Sequence, residues 1–263
     1  MAPPSAGELD SIERSQIEWQ RLLGAEVVED ADLGAVLIHH TDPGPGFNLT
    51  ARVRWSGVDV AARLAALEDK MQAQGRWPSI IYSEGLSEPM DLGPLLAEAG
   101  WHRVAGERIM FTRHAPVVPH LDPSLRVEAV TPASAIETAR LEAEVFGQTA
   151  EWIEGRAELL GRAVESGAIR AFLLRLLREP VATLRLAPFE RVAGIHGVGV
   201  TQKQRGRGYG RMITAIATRA GLATGHGLVW LSVDEANTPA VELYRSLGYE
   251  PSFAWSRWLA PTT

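Results

Sequence analysis

The chain has 263 residues, of which 46 % are hydrophobic and 22 % are charged, and it contains no cysteine. This composition is typical of a globular protein and excludes disordered and collagen-like chains. The missing cysteine excludes disulfides, thiolate metal sites, iron–sulfur clusters and a cysteine nucleophile. The length fits one large domain or two domains of about 130 residues each.

The charge of the chain is unevenly distributed. The formal net charge of −6 argues against a general nucleic-acid binder. Residues 1–120 contain 10 basic and 17 acidic residues, whereas residues 166–225 contain ten basic residues and only two acidic ones, Glu179 and Glu190. This local basic surface indicates either a small polyanionic ligand or a solvated face whose charges are balanced in space.

Neither the N-terminus nor any apolar segment predicts a membrane or secretory location. The first eight residues have no basic start and no apolar run, so they are not a secretory signal. The longest apolar run, residues 168–177, is interrupted by Arg170 and Arg175, so no segment is predicted to span a bilayer. We therefore expect a cytoplasmic protein without a membrane partner.

Helical apolar spacing and short apolar runs predict six elements before a linker. They are a helix over 8–23, a strand over 36–38, a helix over 58–74, a strand over 78–82, a helix over 91–99 and a strand over 108–112. Gly100 fits a left-handed cap after the third helix. Residues 115–123 contain three prolines and no periodicity, which predicts a linker between domains at 1–114 and 124–263.

After the linker the pattern of elements restarts. It predicts a strand over 125–130, helices over 132–145 and 152–165, a hairpin of strands 168–178 and 181–188, a strand over 194–200, a helix over 208–224, a strand over 228–233, a helix over 239–247 and a strand over 252–258. The hairpin is predicted to turn at Glu179-Pro180. Alternating strands and helices predict an α/β fold with a mixed central sheet.

A weak internal repeat links the two halves. The segment Pro89-x5-Leu95-Leu96-x3-Gly100-Trp101 aligns with Pro239-x3-Leu243-Tyr244-x3-Gly248-Tyr249, apart from the position of the proline. Two explanations stay open: common ancestry of the halves, or the independent use of a frequent helix–glycine–aromatic corner.

A glycine-rich segment lies between the predicted strand 194–200 and the predicted helix 208–224. It reads Arg205-Gly206-Arg207-Gly208-Tyr209-Gly210-Arg211. Glycine lets the backbone approach a ligand closely, and the first amides of a helix have no intrahelical acceptor. Together with the helix dipole and the arginines, these features predict an anion site suited to a pyrophosphate. The segment lacks the Gly-Lys-Ser/Thr of a P-loop and the glycine spacing of a Rossmann fingerprint.

The loop resembles the Gln/Arg-x-x-Gly-x-Gly/Ala signature of the GCN5-related N-acetyltransferase (GNAT) superfamily. The segment Asn237-x2-Ala240-x3-Tyr244-x3-Gly248-Tyr249 is similar to the second motif of that superfamily. The resemblance covers about residues 124–263 and implies a GNAT fold there. The strand Ile195–Val200 then stands in the place of the superfamily's splayed fourth strand.

The resemblance implies an acyl-CoA ligand, usually acetyl-CoA, and a set of binding residues. Residues of the loop would hold the pyrophosphate, strand backbone would pair with the pantetheine arm, and one asparagine would contact the cofactor, cap a helix, or do both. These residues are Val198, Val200, Arg205, Gly206, Arg207, Gly208, Tyr209, Gly210, Arg211 and Asn237. No metal ligands are predicted.

The mechanism implied by the resemblance is direct transfer to an amine in a ternary complex. A backbone amide, that of Val200, would stabilise the oxyanion, and Tyr244 would protonate the departing thiolate unless it is a core aromatic. His196 is a candidate general base because strand alternation would place it on the face of Val198 and Val200. It can instead be a structural histidine. The rival bases are Glu144, Glu190, Asp234, Glu235 and an ordered water chain.

The first half of the chain lacks these features. Residues 1–114 contain no Arg-x-x-Gly-x-Gly loop before a helix, and Leu96 stands where Tyr244 stands in the repeat. If this half shares ancestry with the second, it is a degenerate GNAT-like domain, and in either case we expect that it binds no CoA. It would cover the substrate cleft, form a homodimer contact or support the sheet.

An acyl-CoA-dependent N-acyltransferase is the leading function, and a non-catalytic acyl-CoA sensor or interaction module is the alternative. An intact loop together with Tyr244 favours the enzyme. The identity of the acceptor, the acyl chain and the oligomeric state are left open.

Overall fold

The computed structural model describes residues 1–40, 42–118 and 122–261. Its helices are α1 (Ala6–Leu22), α2 (Val60–Ala73), α3 (Leu92–Glu98), α4 (Ala135–Phe146), α5 (Ala150–Glu165), α6 (Tyr209–Ala223) and α7 (Thr238–Ser246). Its strands are β1 (Ala25–Asp30), β2 (Gly34–His39), β3 (Leu49–Ala51), β4 (Ser79–Ser83), β5 (His102–Thr112), β6 (Leu125–Ala129), β7 (Arg170–Leu176), β8 (Glu179–Phe189), β9 (Val192–Val200), β10 (Leu228–Asp234) and β11 (Glu250–Leu259).

These elements form two compact units. Of the described residues, unit 1 comprises those within 1–15, 110–232 and 238–250, and unit 2 those within 16–109, 233–237 and 251–261. Of the predicted linker, residues 115–118, 122 and 123 form neither helix nor strand, and residues 119–121 lie outside the described residues. The division of the sequence at 1–114 and 124–263 stays a prediction.

The sheet of unit 1 is mixed, as predicted. Antiparallel pairs join β6 to β7, β7 to β8 and β8 to β9, and a parallel pair joins β9 to β10. Helix α6 packs closely on one face of this sheet. A Cβ atom placed on Gly221 of α6 would lie 2.8 Å from Val229 Cγ2 and 3.3 Å from Leu186 Cδ1. Glycine at this position therefore lets α6 approach the strands closely.

In unit 2, β1, β2 and β3 form an antiparallel ladder, β3 and β4 pair in parallel, and β4 pairs antiparallel with β11. Helix α2 begins after Asp59, whose carboxylate accepts hydrogen bonds from the amides of Ala61 and Ala62. This is a favourable N-cap. The helix then buries one apolar stripe in a core that includes Leu64, Leu67, Met71, Ile80, Leu92, Leu96 and Trp101.

The structure shows the same helix ending in both segments of the internal repeat. After α3, the amide of Trp101 donates to the carbonyl of Leu96 at 2.9 Å, and after α7 the amide of Tyr249 donates to Tyr244 at 3.0 Å. The glycines before these aromatic residues, at positions 100 and 248, both have φ of +83°. The alignment of Leu96 with Tyr244 therefore corresponds to equivalent backbone positions.

Several element boundaries differ from the prediction. The β7–β8 hairpin turns at residues 177–178 rather than at Glu179-Pro180, because Leu177 takes the left-handed φ of +58° and Pro180 pairs with Arg175. The register shifts beside this pair, and a bulge is one of the sites where a strand accommodates proline. Strands β1 and β3 were missing from the prediction because β1 contains three acidic residues and β3 has three residues in all.

The positive φ at the repeated glycine predicts a measurable loss of stability on adding a Cβ atom. Because alanine in the left-handed region is strained by about 1–2 kcal/mol, Gly248→Ala and Gly100→Ala should each lower the free energy of unfolding by that amount. Urea denaturation followed by circular dichroism measures it.

Gly155→Ala is the matched control, because Gly155 lies within α5 and a Cβ atom there meets no atom within 4 Å. This change should leave stability equal or raise it by up to about 1 kcal/mol. Equal effects at positions 100, 248 and 155 would contradict the assigned backbone geometry.

Candidate active site

The last five residues of β9 lie beyond its parallel pairing with β10. The register with β10 runs from Leu228↔Val192 to Leu231↔Ile195, whereas β8 stays paired with β9 as far as Val200. Among the described residues of unit 1, residues 196–200 therefore have a strand neighbour on the β8 side alone. Their other side is an open sheet edge, which can accept a strand-like ligand.

A bulge at Gly197 interrupts the β8–β9 ladder just where the pairing with β10 ends. The register steps from Arg185↔His196 to Thr183↔Gly199, so β9 advances three residues while β8 advances two. Gly197 has φ of +61°, a conformation that glycine adopts without strain. The extra residue bends the strand and shifts the side-chain alternation on its two sides.

The backbone groups of Val198 and Val200 point to the open edge. The amide of Thr201 donates to the carbonyl of Val181 at 3.0 Å, which directs Thr201 toward the β8 side. Successive residues of a strand direct their amide and carbonyl groups to opposite edges, so those of Val200 and Val198 point away from β8. In agreement, the carbonyl of Val200 accepts a hydrogen bond from Arg205 Nε at 3.3 Å. This geometry fits the predicted contact with a ligand backbone.

The loop after β9 places several backbone amides around the start of α6. Gly206 and Gly208 have φ of +77° and +81°, and a Cβ atom on either would meet nothing within 4 Å. The positive φ, rather than crowding, is therefore what favours glycine here. The helix bond from the Met212 amide to the Gly208 carbonyl leaves the preceding amides, at residues 209–211, at the free end of the helix.

Four cationic side chains surround this helix start. Lys203, Arg205, Arg207 and Arg211 are all exposed, and none forms an ion pair with a carboxylate in the described part of the chain. By contrast, the arginines at positions 175 and 185, on β7 and β8, pair with carboxylates of the same unit. These four cations of the basic range 166–225 are therefore available to an anionic ligand at the start of α6.

The open edge, the helix start and α7 meet at Gly210. A Cβ atom on Gly210 would lie 3.5 Å from Val200 Cγ2 and 3.5 Å from Leu243 Cδ1. Leu243 precedes Tyr244 on α7, so the helix that carries the predicted acid contacts the start of α6. The structure therefore brings together Val200, the glycine loop and α7.

Tyr244 is largely buried in unit 1. Its ring lies 6.0 Å from the ring of Tyr249, and the Tyr249 hydroxyl hydrogen-bonds the Thr218 hydroxyl of α6 at 2.7 Å. Burial raises the pKa of the Tyr244 hydroxyl to about 12. The hydroxyl therefore stays protonated over the physiological pH range and can act as a hydrogen-bond donor.

His196 lies in a buried cationic environment. It is opposite Arg185 in the β8–β9 ladder, so both side chains lie on the same face of the sheet, and Arg185 pairs with Glu142 of α4. The His196 ring packs edge-on against Trp230 at 5.4 Å. Burial, followed by the charges of Arg185 and Arg156, lowers the pKa of His196 to about 3.

The bulge places Val200 and His196 on opposite faces of the sheet. Beyond Gly197, it is Gly199 that faces α4, because a Cβ atom there would lie 2.7 Å from Val145 Cγ1. Val200, one residue later, faces α6. The expectation that His196 shares a face with Val198 and Val200 is therefore wrong, since it assumed an unbroken alternation along β9.

A buried ion cluster on the α4 side was missed by the sequence analysis. Glu142 pairs with Arg185 and, at 3.4 Å, with Arg156, and all three side chains are largely buried. A signal was present: Glu142 continues the helical i, i+3, i+4, i+7 spacing of the small residues 135, 138 and 139, which are buried on α4. A carboxylate at such a position requires a buried partner.

The rival bases have different environments. Glu190 lies in the turn before β9 and binds the Ser11 hydroxyl and Arg14, about 25 Å of strand away from Val200. Glu144 is exposed on α4. At the end of β10, Asp234 accepts a hydrogen bond from the Ala236 amide and Glu235 pairs with Arg103.

Asn237 lies directly before α7, at the end of a turn in which its amide donates to the carbonyl of Asp234 at 2.9 Å. This is the position of a residue that caps a helix.

Among the described residues, no group of three or more histidines and carboxylates is arranged to hold a metal ion. No helix in the described ranges is both long and apolar enough to cross a bilayer.

Residues 137–249 match a model of the acetyltransferase (GNAT) family. This part of the chain is a GNAT domain. It includes Val198, Val200, the glycine loop, Asn237 and Tyr244. Domains of this family use acyl-CoA as a cosubstrate.

Two solved structures share the fold along most of the chain. A GCN5-related N-acetyltransferase from Kribbella flavida has a TM-score of 0.71 and 23 % identity, with 96 % of each chain covered. A tandem GNAT protein from the clavulanic acid biosynthesis pathway has a TM-score of 0.67 and 16 % identity, covering 87 % of this chain and 79 % of its own. The predicted GNAT fold is confirmed, and its neighbours include tandem arrangements.

The curated relatives match a shorter stretch. A mycothiol acetyltransferase of Jonesia denitrificans is 33 % identical over 79 residues, which are 30 % of this chain and 25 % of the relative. The chain thus spans about a quarter of that relative's length, so the activity in its name is a proposal for this chain.

The environment of His196 predicts a loss of stability in acid. The pKa of His196 in the folded state, about 3, lies below the ordinary value for histidine of about 6.5. The contribution of this side chain to stability is therefore fully present at pH values above that ordinary pKa. The contribution is lost as the pH falls from there toward 3, by up to about 1.4 kcal/mol per pH unit. We expect His196→Asn to flatten the decrease of Tm between neutral and mildly acidic pH.

Exposed His102→Asn is the control and should keep the wild-type pH dependence of Tm. If His196→Asn keeps the wild-type pH dependence of Tm, the folded state does not disfavour protonation of the His196 ring, and this prediction is wrong.

Proposed function

We propose that the chain is an N-acetyltransferase that moves an acetyl group from acetyl-CoA to an acceptor amine by direct transfer. The observation that carries this proposal is the meeting of the open β9 edge with the cationic, amide-rich start of α6 at Gly210. An extended arm that ends in a pyrophosphate matches this pair of features. The GNAT domain and the acetyltransferase names of the relatives support the same conclusion.

In this proposal each binding element holds a different part of acetyl-CoA. The amides and arginines of residues 205–211 hold the pyrophosphate. Val198 and Val200 pair with the pantetheine arm as a further strand would. Asn237 adds a side-chain contact while it caps α7. The residues present fit the cosubstrate. Gly206 and Gly208 leave open space beside the backbone amides, and the arginines of the loop form no ion pair with any carboxylate among the described residues.

The chemistry then depends on two donors of this chain. The amide of Val200 donates a hydrogen bond to the thioester oxygen as charge develops on it. The Tyr244 hydroxyl donates its proton toward the sulfur as the carbon–sulfur bond breaks, and the attacking amine returns a proton to the phenol oxygen.

Burial changes the energetics of the Tyr244 step. With a pKa of about 12, full transfer to a thiolate of ordinary pKa, about 8.5, is uphill by about 5 kcal/mol. Desolvation also raises the pKa of a thiol formed beside it, which reduces this difference. Tyr244 therefore acts best when proton donation is concerted with bond cleavage.

We assign His196 the structural role that the sequence left open. A pKa of about 3 makes this ring a weak base toward an ammonium group, and its face of the sheet is opposite to that of Val200. Glu190 is engaged at the far end of β9. An acceptor that arrives as an ammonium ion loses its first proton, before attack, through Glu144, Asp234 or ordered water.

We further propose that the β3–α2–β4–α3 segment of unit 2 binds no CoA. It has the element order of β9–α6–β10–α7, but its chain after β3 stays paired. Glu88 N donates to Val53 O at 3.1 Å, and Trp55 N donates to Glu88 O at 2.8 Å. These bonds close the edge that is open in β9, and the segment lacks the glycine loop.

Replacing Tyr244 by phenylalanine tests the proposed acid. Tyr244→Phe should reduce kcat by about a hundredfold, with little change in acetyl-CoA affinity, in a thiol-release assay over a panel of amines. Because its pKa is raised to about 12, Tyr244 should cause no decrease of kcat below about pH 10.

Tyr249→Phe is the control, since it removes a neighbouring buried hydroxyl and should mainly lower stability. Wild-type kcat in Tyr244→Phe would refute the assignment. Acetyl-CoA binding by the wild type without thiol release for any amine would favour the sensor alternative.

Placing a carboxylate at the start of α6 tests the pyrophosphate site. Gly208→Glu should abolish the increase of Tm that CoA produces, because it adds bulk and negative charge among the free amides. Gly225→Glu is the matched control, since Gly225 also has positive φ and no atom within 4 Å of its Cβ position, but follows the other end of α6. A CoA-dependent increase of Tm that survives in Gly208→Glu would place the site elsewhere, including in unit 2.

A further inference from the structure

Unit 2 contains a cavity of about 370 Å³ beside α3, β4 and β11. This volume lies within the usual range of small-molecule sites, about 300–1,000 Å³. Three aromatic residues, two glutamates and one arginine line it: Tyr82, Trp255, Trp258, Glu84, Glu235 and Arg103. Its lining includes Glu235, one of the rival bases, but neither Tyr244 nor any residue proposed to bind acetyl-CoA.

The aromatic walls of this cavity are held in place by their own polar atoms. The Tyr82 hydroxyl donates to the carbonyl of Met90 at 3.0 Å, and the Trp255 indole nitrogen donates to Glu107 at 2.9 Å. Trp258 Nε1 likewise donates to a hydroxyl of its own strand. Because these polar atoms are already bonded, the rings present apolar surface to a ligand in fixed orientations.

The charges around the cavity leave one carboxylate in excess. Glu235 pairs with Arg103 at 2.5 Å, so these two charges largely compensate each other. Glu84 forms no ion pair with any cation among the residues that the structure describes. Burial and then the carboxylates of Glu84 and Asp91 raise the pKa of the Tyr82 hydroxyl.

We propose that this cavity binds an organic ammonium ion with a flat apolar body. The faces of Tyr82, Trp255 and Trp258 attract such a cation and pack against its apolar part. Glu84 supplies the charge-assisted hydrogen bond that fixes the ammonium group. A neutral or anionic analogue of the same shape loses the charge attraction and keeps the apolar contact alone.

Calorimetric titration of the full chain with 2-phenylethylamine and with the neutral 2-phenylethanol tests this inference. We expect the amine to bind about tenfold more tightly than the alcohol. Glu84→Gln should remove most of that difference by weakening amine binding alone. Glu98→Gln, an exposed carboxylate on α3 outside the cavity lining, is the matched control and should keep the difference.

A second variant tests the cavity without changing its charge. Ala97→Phe places a bulky side chain at the cavity wall and should abolish binding of both ligands, with an unchanged circular dichroism spectrum. Equal affinities for amine and alcohol, a preference that persists in Glu84→Gln, or binding that survives Ala97→Phe would each overturn the proposal. So would the absence of binding for 2-phenylethylamine, tryptamine and benzyltrimethylammonium at millimolar concentration.

The same variants distinguish the two sources of such an amine. If the cavity holds the acceptor itself, Glu84→Gln raises the KM for an amine acceptor and leaves the KM for acetyl-CoA unchanged. If it holds a separate amine, both KM values stay unchanged while amine affinity decreases. The titrations need neither acetyl-CoA nor turnover, so their result is independent of the proposed transferase activity.

Discussion

The parallel pairing of β9 with β10 stops after four residue pairs, and the rest of the candidate site depends on that early end. Beyond Ile195 the strand keeps its antiparallel neighbour β8 and presents its other edge. A sheet edge with unpaired backbone groups inside a protein needs a partner. At the edge of β9, the adjoining start of α6 and the cations of the loop favour an extended ligand that carries negative charge.

The bulge at Gly197 and the buried ions beneath it form one structural arrangement. Arg185 Nη1 lies 3.4 Å from the Cβ position of Gly197, so the guanidinium fills the space under the bulge while Glu142 compensates its charge. Buried ion pairs of this kind add little net stability. They disfavour alternative packings that separate the two partners, because such packings leave an uncompensated buried charge. The neutral His196 ring fits beside them because a third cation would be unfavourable there.

Most of this domain could be predicted from its sequence. The apolar periodicity of α6, the glycine loop and the spacing from Asn237 to Tyr249 indicated both the fold and the site, because each depends on local backbone requirements. The face of His196 could not be predicted, since a bulge is set by the partner strand and appears in the sequence as one more glycine. The Glu142–Arg185 pair joins residues 43 positions apart, and the periodicity of α4 signals one partner without naming the other.

We claim that acetyl-CoA pairs with the open β9 edge and the start of α6. Backbone hydrogen–deuterium exchange measures this pairing most directly. With saturating acetyl-CoA, we predict slower exchange of the amides of Val198 and Val200 and of residues 206–211. The amides of residues 52–55 after β3 should exchange at the same rate with and without the ligand. Unchanged exchange at Val198 and Val200, or new protection confined to residues 52–55, would contradict the claim.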